Sequence, residues 1–234
     1  MRRMCAIILA LALLAAPVRA AEAEKWVALT FDDGPSGALT ERLLDGLAAR
    51  QVQATFFVCG YRVADYPDAL RHIAAGGHEI GLHSDRHDYM QKMDYEAVLD
   101  DLTRCRTAVA DCCGVQARLF RPPGGLYSET VLRASGDLGL SVILWSVDPE
   151  DWDARKAASV LPTIRREVFP GSVILMHDLH ESSVDAALEA IDELRAQGYQ
   201  FCTVSELAEK NGTALRAGAV YSSFRAVDES GKNG

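Results

Sequence analysis

Residues 172–177 of the chain read Ser-Val-Ile-Leu-Met-His, a nearly continuous apolar run that ends in a histidine. A second run of this kind, Val-Ile-Leu-Trp, occupies residues 142–145. Strands that are buried on both faces, as in parallel sheets, have this composition, whereas half-exposed strands alternate apolar and polar residues. The two runs therefore predict a parallel sheet inside the protein.

Apolar runs of similar length alternate with segments of helical spacing along most of the chain. The predicted strands cover residues 26–31, 54–59, 79–83, 117–121, 141–148, 172–177 and 200–204. The predicted helices cover residues 39–50, 69–75, 95–110, 130–138, 157–168 and 184–197. This alternation predicts βαβ units with parallel strands, either in a doubly wound open sheet or in a (β/α) barrel.

The positions of the polar residues favour the barrel. The carboxyl ends of five predicted strands carry Asp32 and Asp33, His83, Arg121, Asp148 and His177. In a (β/α) barrel these ends share one face, and that face carries the active site. We therefore predict an α/β fold with about seven parallel strands in a (β/α) barrel.

The composition is that of an ordinary globular protein, with 49% hydrophobic and 24% charged residues. The formal net charge is −9, and the chain has no run of Lys or Arg. Nucleic-acid binding depends on neutralising phosphates, so this charge argues against a nucleic-acid partner and against docking on anionic lipid. The length of 234 residues fits a single folded domain, which we expect to be a monomer.

The first 20 residues form a separate segment. Arg2 and Arg3 precede an apolar stretch at residues 5–17, and Val18-Arg19-Ala20 supplies a small-residue cleavage site. This pattern is typical of a secretory signal peptide, and the stretch is too short to span a bilayer comfortably. An uncleaved anchor is the alternative. The predicted division is a signal peptide at residues 1–20, a folded domain at residues 21–210 and a loosely ordered tail at residues 211–234.

Export would place the mature protein in a secreted or periplasmic location, without stable membrane insertion, and would make disulfides possible. Five cysteines follow the predicted cleavage site: Cys59, Cys105, Cys112, Cys113 and Cys202. Their odd number leaves at least one unpaired within a monomer, and their pairing stays open.

Two motifs offer ligands for a metal ion. Asp32 and Asp33 are adjacent carboxylates, which repel each other and therefore need different partners. His83 and His87 are four residues apart, a spacing that places two imidazoles on one side of a helical turn. A catalytic Zn²⁺ usually takes three protein ligands, and Asp33 would be the third. The alternatives are a solvated Asp-Gly turn and a chance pair of histidines.

Three further motifs carry side chains that suit a hydrolytic site. Arg121 can pair with a carboxylate and fix its orientation. Trp152 offers a flat face for a sugar ring. His177 ends an apolar strand, where a histidine is more often a core residue than a catalyst, but it reaches the face that carries the other polar residues. A carboxylate in contact with His177 would favour its charged form, and Asp151 and Asp148 are the candidates.

Together these motifs resemble those of carbohydrate esterase family 4, the NodB-homology polysaccharide deacetylases. The matching motifs are TFDDGP, HSDRH, RPPGG, DPEDW and LMH, which occur in the order of the family between residues 26 and 208. The resemblance implies an irregular (β/α) barrel with fewer than eight units. It also implies that Asp33, His83 and His87 bind a divalent metal, with Zn²⁺ favoured and Co²⁺, Ni²⁺ or Mn²⁺ as alternatives.

The same resemblance implies the roles of the remaining site residues. Asp32 would be the general base, tethered by Arg121. His177 would be the general acid, assisted by Asp151. The other predicted site residues are Trp152 and Leu175, which would line the site, and Gly124, whose backbone N–H would contribute to the oxyanion site.

The chain departs from the usual family pattern at two places. The family often has an aromatic residue where Gly124 stands, so we expect one wall of the groove to be more open here. Asp88 and Tyr89 replace the usual Pro-containing continuation after the second histidine. Neither place is a predicted metal ligand or proton-transfer group.

We therefore expect a secreted, metal-dependent deacetylase whose partner is an acetylated polysaccharide or oligosaccharide. The expected reaction removes N-acetyl groups from N-acetylglucosamine units of chitin oligomers or peptidoglycan and releases acetate. An O-acetyl esterase that acts on xylan-like glycans would use the same residues, so this alternative stays open. An inactive, metal-dependent glycan-binding domain is the third alternative, although every position needed for catalysis is filled.

Overall fold

The computed structural model describes residues 24–225, so the predicted signal peptide and residues 226–234 lie outside the described residues. The strands are β1 (Lys25–Asp32), β2 (Thr55–Val58), β3 (Glu79–Leu82), β4 (Leu119–Phe120), β5 (Ser141–Ile143), β6 (Val173–His177), β7 (Tyr199–Phe201) and β8 (Val220–Tyr221). The helices are α1 (Ala38–Ala49), α2 (Gly60–Asp65), α3 (Pro67–Ala75), α4 (Tyr95–Cys113), α5 (Glu129–Asp137), α6 (Val160–Glu167), α7 (Glu181–Ala196) and α8 (Val204–Lys210).

The strands pair in parallel, as the apolar runs predict. Their order is β6-β1-β2-β3-β4-β5-β8, and β7 pairs with the first residues of β1. After β5 the chain crosses to β6, where Val147 forms a parallel bridge with Ile174 and accepts a hydrogen bond from the Leu175 N–H at 3.0 Å. This crossing joins the two sides of the sheet into an irregular (β/α) barrel, which confirms the predicted fold class.

The alternation of side chains along β1 separates two packing environments. Leu29 and Phe31 belong to the large core cluster between the sheet and the helices. Ala28 belongs to a smaller cluster inside the barrel. Because successive side chains of a strand point to opposite faces, Thr30 and Asp32 lie on the same inner side as Ala28. The barrel interior is therefore apolar near its amino end and polar near its carboxyl end.

Local signals set the ends of the helices. The Asp94 side chain accepts a hydrogen bond from the Ala97 N–H at 2.9 Å, and this cap begins α4. Gly114 ends α4 with φ at 75°, a left-handed conformation that glycine adopts without steric cost. The predicted strand over residues 141–148 ends at Ile143, because the chain there leaves β4 and crosses to β6.

The segment after residue 211 differs from its prediction. β8 pairs with β5, and the Phe224 ring is buried in the cluster inside the barrel. The Phe224 N–H donates to the Gly171 carbonyl oxygen at 2.8 Å, just before β6 begins. The prediction of a loosely ordered tail is therefore wrong for residues 211–225, because an apolar side chain near their end fills the barrel interior.

The five cysteines of the described region are free thiols, of which Cys59, Cys105 and Cys202 are buried. Between residues 24 and 225, no helix combines the length and the apolar character needed to cross a bilayer.

Candidate active site

The carboxyl ends of the strands surround a cleft of about 390 Å³. Its lining residues are Asp32, Asp33, His83, His87, Tyr89, Gly124, Trp145, Asp148, Trp152, Leu175 and His177. The remaining two predicted site residues, Arg121 and Asp151, lie behind the cleft wall and bind two of these side chains. The structure thus brings all ten predicted site residues together.

Three side chains converge on one point of the cleft. Asp33 Oδ1 lies 3.2 Å from His83 Nε2 and 3.1 Å from His87 Nε2. One ligand atom from each residue lies within 4.8 Å of the other two. Ligand atoms at about 2 Å from a common ion have separations within this limit. The cluster can therefore hold a single divalent cation.

The orientation of His83 supports the same interpretation. Its Nδ1 lies 2.7 Å from the carbonyl oxygen of Arg121, and a carbonyl only accepts hydrogen bonds. Nδ1 must therefore carry a proton, and in the neutral imidazole the lone pair of Nε2 is directed at Asp33. Asp33 Oδ1 is itself buried without a hydrogen-bond donor. Two acceptors that face each other in this way fit a cation between them.

The charges of this cluster influence one another. Burial disfavours the charged form of Asp33, but hydrogen bonds and positive charge from His83 and His87 in their protonated forms outweigh this effect, so the pKa of Asp33 lies well below its usual range. The Asp33 carboxylate in turn raises the pKa of His87. The site thus keeps a negative charge on Asp33 even though its side chain is largely enclosed.

The backbone of the ligand loops is held in a conformation that few residues adopt. Asp33, Ser84 and His87 have φ values of 70°, 68° and 62°, in the left-handed region. Ser84 Oγ accepts a hydrogen bond from the His87 N–H at 2.7 Å, which fixes the turn between the two histidines. Such conformations cluster at functional sites, where the surrounding structure enforces them.

The second aspartate has a different environment. Arg121 donates from one terminal nitrogen to Asp32 Oδ1 at 2.7 Å and to Thr30 Oγ1 at 2.8 Å. Its remaining nitrogens donate to the carbonyl oxygens of Ile143 and Leu144. Burial lowers the pKa of Arg121, and the charge of Asp32 opposes that shift. These contacts hold one oxygen of Asp32 and leave Oδ2 facing His83 Nε2, at 3.8 Å.

His177 is held by Asp151 rather than by Asp148. Asp151 Oδ1 lies 2.8 Å from His177 Nδ1, and Asp151 Oδ2 accepts from the His177 N–H at 2.8 Å. Asp148 Oδ1 instead accepts from the Glu150 N–H at 2.9 Å. Burial opposes the charged imidazolium, but the hydrogen bond and charge of Asp151 outweigh it and raise the pKa of His177 to about 9. His177 can therefore hold a proton at neutral pH and present it on the cleft.

Tyr89 lies beside Gly124 in the wall of the cleft. A Cβ atom on Gly124 would lie 2.9 Å from Cε1 of Tyr89, so the Tyr89 ring occupies the neighbouring space. Trp145 also lines the cleft, although its sequence context predicts only a place in an apolar strand. Its place at the carboxyl end of that run is the signal that could have identified it. Thr30, which accepts a hydrogen bond from Arg121, lies two residues before Asp32 and therefore on the same side of the strand. This spacing could have identified it.

A comparison with known proteins bears on this site. Residues 19–143 match the family model described as polysaccharide deacetylase. The chain is 39% identical over 187 residues to the peptidoglycan-N-acetylmuramic acid deacetylase PdaC of Bacillus subtilis, which covers 80% of this chain and 39% of that protein. It is 36% identical over 201 residues to the peptidoglycan-N-acetylglucosamine deacetylase PgdA of Listeria monocytogenes, which covers 86% of this chain and 42% of that protein. The chain thus spans about two fifths of the length of these relatives.

The fold also matches solved structures. One is a family 4 acetyl xylan esterase from Clostridium thermocellum in complex with a cobalt ion, with a TM-score of 0.79 and 30% identity, which covers 85% of this chain and 98% of that chain. The residues matched by the family model include Asp33, His83 and His87. The chain therefore belongs to the polysaccharide deacetylase family, carbohydrate esterase family 4.

Proposed function

We propose that the protein is a secreted, metal-dependent deacetylase that hydrolyses N-acetyl groups of N-acetylglucosamine units in chitin oligomers or peptidoglycan. The observation that carries the proposal is the convergence of three metal-ligand candidates with two proton carriers in one cleft. Asp33, His83 and His87 form the ligand cluster. Asp32, bound to Arg121, and His177, bound to Asp151, are the proton carriers.

The residues of the ligand cluster fit a divalent ion by their chemistry. Two imidazoles and one carboxylate are a common ligand set for catalytic Zn²⁺, which we favour over Co²⁺, Ni²⁺ or Mn²⁺. The buried Asp33 Oδ1 without a donor and the fixed tautomer of His83 both support binding of a cation. When bound, the ion supplies Lewis-acid polarisation of the acetyl carbonyl and of a water molecule.

The protein groups then carry the proton transfers. Asp32 accepts a proton from the attacking water, and Arg121 keeps the accepting carboxylate in place. The Gly124 N–H donates to the oxygen that becomes negatively charged when water adds to the acetyl carbonyl. His177 donates its proton to the nitrogen as the carbon–nitrogen bond breaks, so that a free amine and acetate are released. Asp151 stabilises the charged form of His177 before the transfer.

The similarity to the peptidoglycan-N-acetylglucosamine deacetylase PgdA of Listeria monocytogenes supports N-acetylglucosamine as the substrate unit. The similarity to a Clostridium thermocellum acetyl xylan esterase favours, as a second candidate, the hydrolysis of O-acetyl groups of xylan-like glycans.

Export forms part of the proposal, because peptidoglycan and chitin are extracytoplasmic polymers. Its support is the Arg-led apolar segment at residues 1–20. N-terminal sequencing of the native protein tests this part, with Ala21 as the expected first residue. Recovery of the form that begins at Met1 from the cytosol would contradict it.

The experiment that tests the reaction measures acetate release from three substrates: chitin oligomers, peptidoglycan and acetylxylan. We expect faster release from chitin oligomers or peptidoglycan than from acetylxylan. Faster release from acetylxylan would favour the O-acetyl esterase. Binding of a glycan without acetate release from any of the three would indicate an inactive binding domain.

A further inference from the structure

Tyr89 is an exposed aromatic residue at the cleft, and the proton transfers described above do not use it. It follows the ligand loop after β3, and 59% of its surface is exposed. Its ring lines the same cleft as Asp32 and His177. An exposed tyrosine ring leaves apolar surface in contact with water. A ligand that covers the ring would remove this surface from water and gain binding free energy.

Two neighbours contact this ring. Tyr89 packs edge-on against the ring of His87, with 6.1 Å between the ring centroids. On its other side, a Cβ atom at Gly124 would lie 2.9 Å from Tyr89 Cε1, so a side chain there would displace the ring from its present position. Gly124 also has φ at 62°, which strains any residue with a side chain. Glycine at position 124 thus leaves room for the Tyr89 ring at the cleft wall.

Apolar side chains surround the polar centre of the cleft. Trp145, Trp152 and Leu175 line it together with Tyr89. Trp152 is 54% exposed and follows Asp151, the partner of His177, whereas Tyr89 lies beside His87. Aromatic rings therefore flank both the metal-ligand cluster and the proton donor. A sugar ring, whose axial C–H bonds form an apolar face, is a ligand of matching chemistry.

We propose that Tyr89 is a substrate-binding residue that contacts the apolar face of a sugar unit of the glycan. This inference rests on the proposed function, since it takes an acetylated glycan as the ligand of the cleft. Tyr89 is not one of the hydrogen-bond partners that hold Asp32 and His177 in place. The contact binds substrate and transition state equally, so its loss raises KM and leaves kcat nearly unchanged.

The test compares four metal-loaded proteins on chitin oligomers: the wild type, Tyr89→Ala, Tyr89→Phe and Tyr61→Ala. Tyr61 is the matched control, because it is an exposed tyrosine in the first turn of α2 that does not line the cleft. We expect Tyr89→Ala to raise KM about tenfold with kcat within about twofold of the wild type. Tyr89→Phe keeps the ring and stays within about twofold in both constants, as does Tyr61→Ala.

Metal analysis of the same samples separates this role from support of His87. Unchanged metal content with raised KM supports substrate binding by Tyr89. A Tyr89→Ala protein with unchanged KM, or one that loses metal and kcat together, would overturn the inference.

A binding measurement keeps the inference separate from the proposed reaction. Calorimetry of the same oligomer with Asp32→Asn and with Asp32→Asn/Tyr89→Ala measures affinity without turnover. About tenfold weaker binding in the double variant supports the role of Tyr89 even if the wild type releases no acetate, a result that would count against the proposed function alone. Equal affinity in the two proteins would reject the role of Tyr89.

Discussion

The two ends of the barrel are built from the same strands and differ in chemistry. At the carboxyl end, the inward side chain of Asp32 binds Arg121, and polar groups surround an open cleft. At the amino end, Ala28 and Val173 pack with Phe224 in an apolar cluster. The buried ion pair of Arg121 and Asp32 therefore lies at one end of the barrel, and the interior hydrophobic packing around Phe224 lies at the other.

This difference separates the residues needed for reaction from those needed for stability. Burying the charges of Arg121 and Asp32 is costly, and one hydrogen bond between them holds Asp32 Oδ1 and leaves Oδ2 toward the cleft. Phe224 has no polar side-chain group to orient, and its burial stabilises the fold. Substitutions at the carboxyl end should change activity, and substitutions at the amino end should change the free energy of unfolding.

The largest effect on activity is expected from His83→Ala, which removes one of the three converging ligands. Metal content should fall, and kcat/KM for acetate release from chitin oligomers should fall by about 10³-fold or more. Elemental analysis and acetate release measure the two quantities. His72→Ala is the matched control, because His72 is an exposed histidine on α3 paired with Glu41 away from the cleft. Full metal occupancy in His83→Ala would contradict the ligand assignment.

The next effect is that of Asp32→Asn, which keeps the shape of the side chain and removes its basicity. We expect kcat to fall by about 10²- to 10⁴-fold. Metal content should stay near that of the wild type, because Asp32 lies outside the ligand cluster of Asp33, His83 and His87. Loss of the metal in this variant would instead make Asp32 a ligand.

Asp151→Asn should have a smaller effect that depends on pH. His177 donates only in its charged form, which is lost as the pH rises through its pKa. Without the Asp151 charge this pKa falls from about 9, so the alkaline limb of the kcat/KM profile moves to lower pH. The rate at neutral pH should fall by roughly tenfold.

The pH profiles of the wild type, Asp151→Asn and Asp148→Asn, recorded with the same metal, test this assignment. Asp148→Asn should leave the limb in place, because the Asp148 carboxylate bonds the Glu150 N–H and not His177. A shift in Asp148→Asn and none in Asp151→Asn would transfer the role to Asp148.

The smallest effect on activity is expected at the opposite end of the barrel. Phe224→Ala removes a buried ring that stacks on Tyr221 at 5.7 Å between centroids. The free energy of unfolding should fall by about 3–5 kcal/mol, as measured in urea. The kcat/KM of the folded protein and its metal content should remain those of the wild type. A loss of activity without loss of stability would show that the two ends are coupled.

The sequence predicts the catalytic end of the barrel better than the apolar end. The clustering of Asp33, His83 and His87 as candidate metal ligands could be predicted because such ligands have a restricted chemistry and follow apolar strands. β8 could not, because a strand of two residues is too short to show an alternating pattern and depends on pairing with β5. For the same reason the burial of Phe224 was not predictable from its Ser-rich surroundings.

Within the site, the side chains that the sequence does not assign are those defined by distant contacts. The Tyr89 ring takes its place from Gly124, which lies on the loop after another strand. Trp145 reaches the cleft because the chain leaves β5 and crosses to β6. For the partner of His177, the residues alone leave Asp151 and Asp148 open, and the motif resemblance favours Asp151, which the structure places on His177 Nδ1.

The central claim is that the cleft at the carboxyl end hydrolyses an N-acetyl group with the help of an ion held by Asp33, His83 and His87. The most direct test measures acetate release from a chitin oligomer by the metal-loaded protein, by the same protein after chelation, and after a divalent ion is returned. We expect release in the first sample, loss in the second and recovery in the third. Equal release before and after complete removal of the metal, or no release by the loaded protein, would contradict the claim.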